Sequence, residues 1–233
     1  NYYYFYWKIE MIKEYIYIMK NTFKKKSLNR ILQEIQTKNE IAYGKVVEFG
    51  GSKNSSKNFT NFINLKENDQ IIYSDKFPKQ DSIRKEDLEK NLSFETNSID
   101  SILIFNVLEH VFDVNNAFSE INRCLKNNGK IIGSTPFIHR IHGAPNDYNR
   151  YTKQFLEKVL ENNNYKNIKV KNLGFGPFTS CYSIVFDYFK FIPFLNNLVL
   201  SLCFVFDFFI NLIVKTDLKD IYPIAIFFSG EKK

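Results

Sequence analysis

The feature that most constrains this chain is a series of short apolar runs through its middle, each ending in a polar or glycine-bearing turn. "KVVEF" (45–49), "QIIYSD" (70–75), "SIDSILIFNV" (98–107) and "KIIGSTP" (130–136) have the length and β-branched content of strands. The "SILIF" core of the third has no polar face after its serine. A strand that apolar is covered on both sides, as in a parallel sheet. "VNNAFSEINRCLKNNG" (114–129) predicts a helix, with Ala117, Phe118, Ile121 and Leu125 on one face and Gly129 ending it. "TKQFLEKVLENNN" predicts another, capped by Thr152, and "YKNIKVKNLG" and "YPIAIFF" add strands. Strands alternating with helices predict an α/β, doubly wound, mostly parallel sheet. In such sheets ligands sit beyond the carboxyl ends of the strands.

Two regions flank this pattern. Upstream, Ser27 caps a helix with Leu28, Ile31, Leu32 and Ile35 at helical spacing, and 39–44 break it. "NYYYFYWKIEMIKEYIYIMK" predicts a helix packed on the domain. It lacks the basic start, clean apolar run and cleavage site of a signal peptide. Because the chain begins at Asn1 rather than Met, a preceding stretch is expected. Downstream, Phe191 to Val214 is a separate apolar region. At roughly 100° per residue, Asn196, Asn197, Ser201, Asp207, Asn211 and Lys215 fall within an arc of roughly 140°. Asp207 near the middle disfavours a transmembrane span, at about 2.5–3.5 kcal/mol for a central acid. A helix lying on something apolar fits better: the domain, a twin subunit or the membrane interface.

The 233 residues suffice for one α/β domain with a full core. Aromatic residues reach 17%, which reads as compositional drift, so a single aromatic side chain carries little functional weight. The net charge of +7 is spread over scattered lysines, and only Lys24-Lys25-Lys26 form a run. No nucleic-acid motif accompanies the charge, and nucleic acid is not an expected partner. Cys124, Cys181 and Cys203 are far apart and odd in number, which predicts no disulfide, three small buried side chains and a cytoplasmic setting.

The chemistry starts at "VVEFGGSKNSS". Gly50 and Gly51 allow backbone conformations and a close ligand approach that a Cβ blocks. Asp75 ends the next strand, where a carboxylate accepts both hydroxyls of a ribose. Together they point to a cofactor containing a nucleoside. A dinucleotide fold needs G-x-G-x-x-G to cradle its pyrophosphate, and "GGSKNSSKN" lacks it. A nicotinamide oxidoreductase is therefore disfavoured, whereas a phosphate-free cofactor needs no such cradle.

"VVEFGGS", "SDKF", "DLEKNLSFETNSIDSILIFNVLEHV", "EINRCLKNNGKIIGSTP" and "HGAPNDYNRYT" follow one another in that order. Over roughly Lys45 to Gly174 this resembles class I S-adenosylmethionine-dependent methyltransferases of the methyltransferase-11 type, nearest to small enzymes of surface-polysaccharide and glycan biosynthesis. The resemblance implies a seven-stranded Rossmann-like sheet, with "YPIAIFF" as the last strand. It implies an N-terminal helical segment over 1–44 and a methyltransferase domain over 45–233, with 183–216 an apolar helical insertion. It also implies roles: Glu48, Gly50, Gly51 and Ser52 near the methionine part of the cofactor, Asp75 on the ribose, Asp87 and the Leu88 N–H on the adenine, and Asn106 along the methionine moiety. Ser52 and Asn54 stand where the usual turn has glycines, and Asn tolerates left-handed geometry. Ser93 replaces a common proline.

On the acceptor side, His110 follows Glu109 in "NVLEHVF", and "TPFIHRIHGAPNDYNRYT" gathers His139, His142, Asp147, Tyr148 and Arg150 in one loop. His142 and Asp147 are the candidates for acceptor positioning or proton removal. His110, His139, Tyr148 and Arg150 are candidates for acceptor binding, Arg150 for a carboxylate or phosphate. Three histidines without tight spacing make no metal set, and no metal is expected. The resulting expectation is methyl transfer to a small or glycan-type acceptor: a sugar hydroxyl or carboxyl, lipid-linked or on a nucleotide-sugar. It places the protein in the cytoplasm, with peripheral contact at the inner membrane face through 191–214. The alternative is a non-catalytic binding or scaffold protein that keeps the fold.

Overall fold

A computed structural model describes residues 2–143, 145–214 and 216–233, with side chains from residue 13 onward. In chain order the elements are α1 (Tyr2–Phe23), α2 (Leu28–Thr37), β1 (Lys45–Phe49), β2 (Gln70–Asp75), β3 (Arg84–Lys85), β4 (Ile99–Phe105), α3 (Val114–Cys124), β5 (Leu125–Pro136), α4 (Lys153–Asn162), β6 (Tyr165–Leu173), α5 (Pro177–Phe189), α6 (Pro193–Ile213), α7 (Leu218–Ile221) and β7 (Ala225–Lys232). They form two compact units. One comprises Gln33–Leu173 with Ala225–Lys233, the other Asn1–Leu32 with Gly174–Ile224.

The first unit holds a seven-stranded sheet in the order β3-β2-β1-β4-β5-β7-β6. Strands β1 to β5 pair in parallel, and β7 runs antiparallel between β5 and β6. Side chains alternate between the faces, as the period of a strand requires. Val47, Phe49, Ile102, Ile104 and Ile131 join Phe118, Ile121 and Leu156 in one buried cluster. Val46, Leu103, Phe105 and Ile132 join Phe59, Ile63 and Phe227 in the other. Both faces of β1 and β4 are thus covered, which explains their continuous apolar sequence. Each fully buried Ile, Leu or Phe side chain contributes about 1.5–3 kcal/mol.

Local chemistry differs from expectation in two places. Helix α3 ends at Cys124, five residues before Gly129. Leu125 is already extended (φ −67°, ψ 139°) and pairs with Ile99, so the sheet claims it ahead of the "KNNG" turn. The β1–β2 connection contains a 3-10 turn, Phe59–Asn61, where a doubly wound fold usually places a helix. The caps at Ser27, Asp113 and Thr152 are present, each side-chain oxygen accepting the N–H three residues on.

The second unit contains α1, α5, α6, α7 and the start of α2. The polar side of α6 faces its own helical neighbours. Asp207 is buried, and its carboxylate accepts the N–H groups of Phe178 (2.9 Å) and Thr179 (2.9 Å) and the Thr179 hydroxyl (2.7 Å). It therefore caps the amino end of α5, where a negative charge is favoured. Asn196 accepts from Tyr182 Oη, and Asn197 accepts from Thr22 Oγ1 and donates to Met19 O. Lys215, counted in the polar arc, lies outside the described residues. The opposite side of α6 presents Phe194, Leu198, Leu202, Phe206, Phe209 and Ile213 to solvent. α5, not foreseen as a helix, adds Ile184 and Tyr188 to the exposed apolar surface. Cys124 is buried as expected, but Cys181 lies on the exposed side of α5 and Cys203 is half-buried.

Candidate functional site

The carboxyl ends of β1, β2 and β4 are neighbours in the sheet, and the chain order reverses between β1 and β4. This is the switch point where an open α/β sheet leaves a crevice. Gly50 borders it in the left-handed region (φ +72°), and a Cβ there would lie 2.8 Å from Val107 Cγ2. A Cβ on Gly51 would lie 2.7 Å from Tyr73 Cδ1. Both glycines are sterically required. Asn54 is left-handed (φ 59°), so this asparagine carries the conformation usually given to glycine.

Glu48 is buried, and its two carboxylate oxygens accept the N–H groups of Phe59 (2.7 Å) and Thr60 (3.0 Å). The acid thereby ties the returning loop to the strand end. Ser52 is clasped by Asn58, which accepts its N–H (3.0 Å) and donates to its carbonyl (2.6 Å). Neither Glu48 nor Asn58 was legible as a loop anchor, because their partners are backbone groups.

Asp75 ends β2. Its Oδ1 accepts the Phe77 N–H at 2.7 Å, and its Oδ2 takes no hydrogen bond among the described residues. That leaves one carboxylate oxygen able to receive a hydroxyl. Lys76 Nζ sits between Glu89 (2.7 Å) and Asp87 (3.3 Å), and the Glu89 bond raises its pKa. Asp87 also accepts the Glu89 N–H, while the Leu88 side chain is buried in the core. Ser93 accounts for the missing proline: its N–H and hydroxyl both donate to the buried Glu86, and a proline has no N–H to give.

Asn106, just past β4, is left-handed (φ 54°). Its side chain forms a reciprocal amide pair with the buried Gln33 of α2, at 2.8 and 2.9 Å. Gln33 escaped sequence reasoning because only the fold brings it to the strand end.

The acceptor-side residues do converge. Glu109 and His110 lie on a 3-10 turn, Leu108–His110, and the loop after β5 returns across it. Tyr148 N donates to Glu109 O at 2.8 Å and so pins the loop. Arg150 grips Asp147 with both guanidinium nitrogens, at 2.5 and 2.7 Å. The Arg150 fork is therefore engaged within the loop rather than held free for an acceptor anion. Its bonds hold the Asp147 carboxyl well below the usual carboxylate range. Such an acid is a poor proton acceptor but a good orienter: its Oδ2 accepts the His142 N–H (2.8 Å) and lies 3.3 Å from His142 Nδ1. His110 Nδ1 lies 2.5 Å from the Asn146 carbonyl, and burial lowers the His110 pKa. The His139 and His142 rings are 4.8 Å apart, and Tyr148 packs edge-on against Phe112. Glu109 is fully buried, neither carboxylate oxygen has a hydrogen-bond partner among the described residues, and burial pushes its pKa up to about 8. The sequence signal for it was the acid beside His110; its isolation from partners was not readable.

Residues 55–133 match the Methyltransf_11 family model, described as a methyltransferase domain. No curated protein is similar to the chain in sequence. Among solved structures, the chain is similar to phosphoethanolamine N-methyltransferase 2 of Haemonchus contortus, in complex with phosphomonomethylethanolamine and S-adenosylhomocysteine. The identity is 16% and the TM-score 0.52, over 86% of this chain and 52% of that one. The chain thus spans about half the length of that relative. A SAM-dependent methyltransferase of Archaeoglobus fulgidus is 13% identical, with a TM-score of 0.55 over 87% of this chain and 94% of that one. The cyclase SpnF is 10% identical, with a TM-score of 0.53 over 88% and 80%. At these identities the likeness is one of fold. The chain has the Rossmann-like sheet of the methyltransferase structures, and 55–133 carry the sequence pattern of a methyltransferase domain.

Proposed function

We propose that the protein is an S-adenosylmethionine-dependent methyltransferase acting on a hydroxyl or carboxyl of a glycan-type acceptor, lipid-linked or on a nucleotide-sugar. The observation that carries the cofactor reading is the β1–β4 switch point itself. It is bordered by Gly50 and Gly51, where a Cβ would meet Val107 and Tyr73, and by Asp75, one of whose carboxylate oxygens has no hydrogen-bond partner among the described residues. These residues fit a nucleoside that brings no phosphate, since the loop after β1 opens only a three-residue 3-10 turn and offers no helix terminus to an anion. Bound there, the cofactor supplies an electrophilic methyl group on a sulfonium. Asp75 would hold the ribose, Asp87 and Leu88 the adenine side, and Asn106 the methionine side.

The chain's own part in the reaction is positioning. Well-oriented reactants gain up to about 7–11 kcal/mol of the barrier. His142 is the acceptor-side residue this geometry favours, because Asp147 fixes its ring from the Nδ1 side while the side chain stays partly exposed. A lipid-linked acceptor is supported by the second unit, where α6 is long and apolar enough to cross a membrane. Its charged residue is turned inward, and its outer side is apolar. The apolar outer side of α6 supports peripheral contact with a membrane.

Transfer of a labelled methyl group from S-adenosylmethionine to nucleotide-sugars and to lipid-linked glycans tests the reading. Label in either pool, slowed by His142→Ala, supports it. Cofactor binding without transfer to any acceptor favours a binding protein.

A further inference from the structure

We propose that Glu109, His110 and His142 form a binding site for a divalent transition-metal ion of the class that imidazole and carboxylate ligands share, with zinc as the reference ion. The sequence spacing suggested no metal set. The fold supplies one by laying the loop after β5 across the 3-10 turn Leu108–His110.

Three observations carry the proposal. The first is that Glu109 is fully buried, yet neither Oε1 nor Oε2 has a hydrogen-bond partner among the described residues. A buried carboxylate is normally hydrogen-bonded, paired or bound to a metal.

The second is the spacing around it. His110 Nε2 lies 3.8 Å and His142 Nε2 lies 4.0 Å from the same Glu109 Oε1. Both are too long for a hydrogen bond. One ligand atom from each of the three residues lies within 4.8 Å of the others. Ligands bound at about 2.0–2.1 Å around a tetrahedral centre stand about 3.4 Å apart, so each histidine closes on Glu109 by about 0.4–0.6 Å and the widest pair by about 1.4 Å.

The third is how the imidazoles are held. His110 Nδ1 is 2.5 Å from the Asn146 carbonyl, and His142 Nδ1 is 3.3 Å from Asp147 Oδ2. Each ring thus has an acceptor on its Nδ1 side, which places the Nε2 lone pair toward Glu109. A metal-binding histidine characteristically has such a partner behind it, which fixes its tautomer and ring orientation. Arg150 completes the set by clamping Asp147.

Two histidines and one carboxylate leave a fourth position. His142 is 34% exposed at its side chain, so that position is open to solvent, as in sites that bind water or substrate. The ion would take an oxygen of the acceptor there. This last role rests on the methyl-transfer reading, whereas the binding of the ion does not.

The test uses the full chain, stripped of metal and free of cofactor. It is titrated with Co(II), followed by its d–d absorption, and with Zn(II), followed by calorimetry. The expected result is one ion per chain, with affinity falling by more than about 100-fold in both Glu109→Gln and His142→Ala and by about 10–100-fold in Asp147→Asn. Circular dichroism identifies any variant that misfolds. Should Glu109→Gln do so, the half-exposed position of His142→Ala decides alone. No binding, or equal affinity in wild type and a folded His142→Ala, overturns the proposal. S-adenosylhomocysteine binding is measured separately on the metal-free protein. Metal binding without cofactor binding would remove the methyl-transfer reading and leave this site standing; the converse would do the opposite.

Discussion

Gln33 and Asn106 exchange two hydrogen bonds through their side-chain amides, Gln33 Nε2 donating at 2.8 Å and Asn106 Nδ2 at 2.9 Å. The pair ties α2 to the end of β4, where Asn106 holds a left-handed backbone beside the crevice. Gln33→Ala leaves the Asn106 amide without its partner, which costs about 1–3 kcal/mol. The expected outcome is a lower unfolding midpoint in denaturant, together with weaker binding of S-adenosylhomocysteine. An unchanged midpoint would show that the pair does not anchor the strand end.

Glu120 and Arg123 clamp the segment that follows Asp87. Arg123 donates to both Glu120 oxygens and to the carbonyls of Leu92 and Phe94, and Glu120 accepts the Leu92 N–H. The Arg123 bond lowers the Glu120 pKa from 4.5. A carboxyl whose pKa is depressed by folding contributes stability above its unfolded value and loses it as pH falls through the folded one. Stability of the wild type should therefore decline below about pH 4.5 in part through this group. Glu120→Gln should be less stable at neutral pH and show a shallower decline in acid. Urea unfolding at a series of pH values checks this, and parallel wild-type and variant curves would contradict it.

The outward side of α6 should behave as a lipid-binding surface. Leu202→Glu with Leu198→Glu places two charges on exposed positions of α6, so the fold should persist. Co-sedimentation with vesicles of anionic phospholipid is expected for the wild type and at least about tenfold less for the double variant, since each buried apolar side chain contributes about 1.5–3 kcal/mol. Equal sedimentation would remove the membrane contact and leave the cofactor site untouched.

The sheet was legible because β1, β4 and β5 are covered on both faces, and only continuous apolar runs satisfy that. The glycines at 50 and 51 and the acid at 75 were legible for a similar reason: a strand end allows few alternatives there. Three kinds of feature were not. Glu48 and Glu86 bind backbone groups distant in sequence. Gln33 and His142 reach their partners only through the tertiary path. The apolar arc of α6 was legible, but not that Asp207, Asn196 and Asn197 are the residues that face the neighbouring helices. Periodicity reveals that a helix has two sides, and burial within the fold decides which one turns inward.

The central claim is that the carboxyl ends of β1, β2 and β4 receive an adenosyl cofactor, and titration calorimetry with S-adenosylhomocysteine tests it most directly. One site per chain is expected. A lost hydrogen bond to a charged group is worth about 1.5–3 kcal/mol, so Asp75→Ala should bind roughly 10–150-fold more weakly. No heat and no thermal shift at millimolar ligand, or equal affinity in the Asp75 variant, would contradict it.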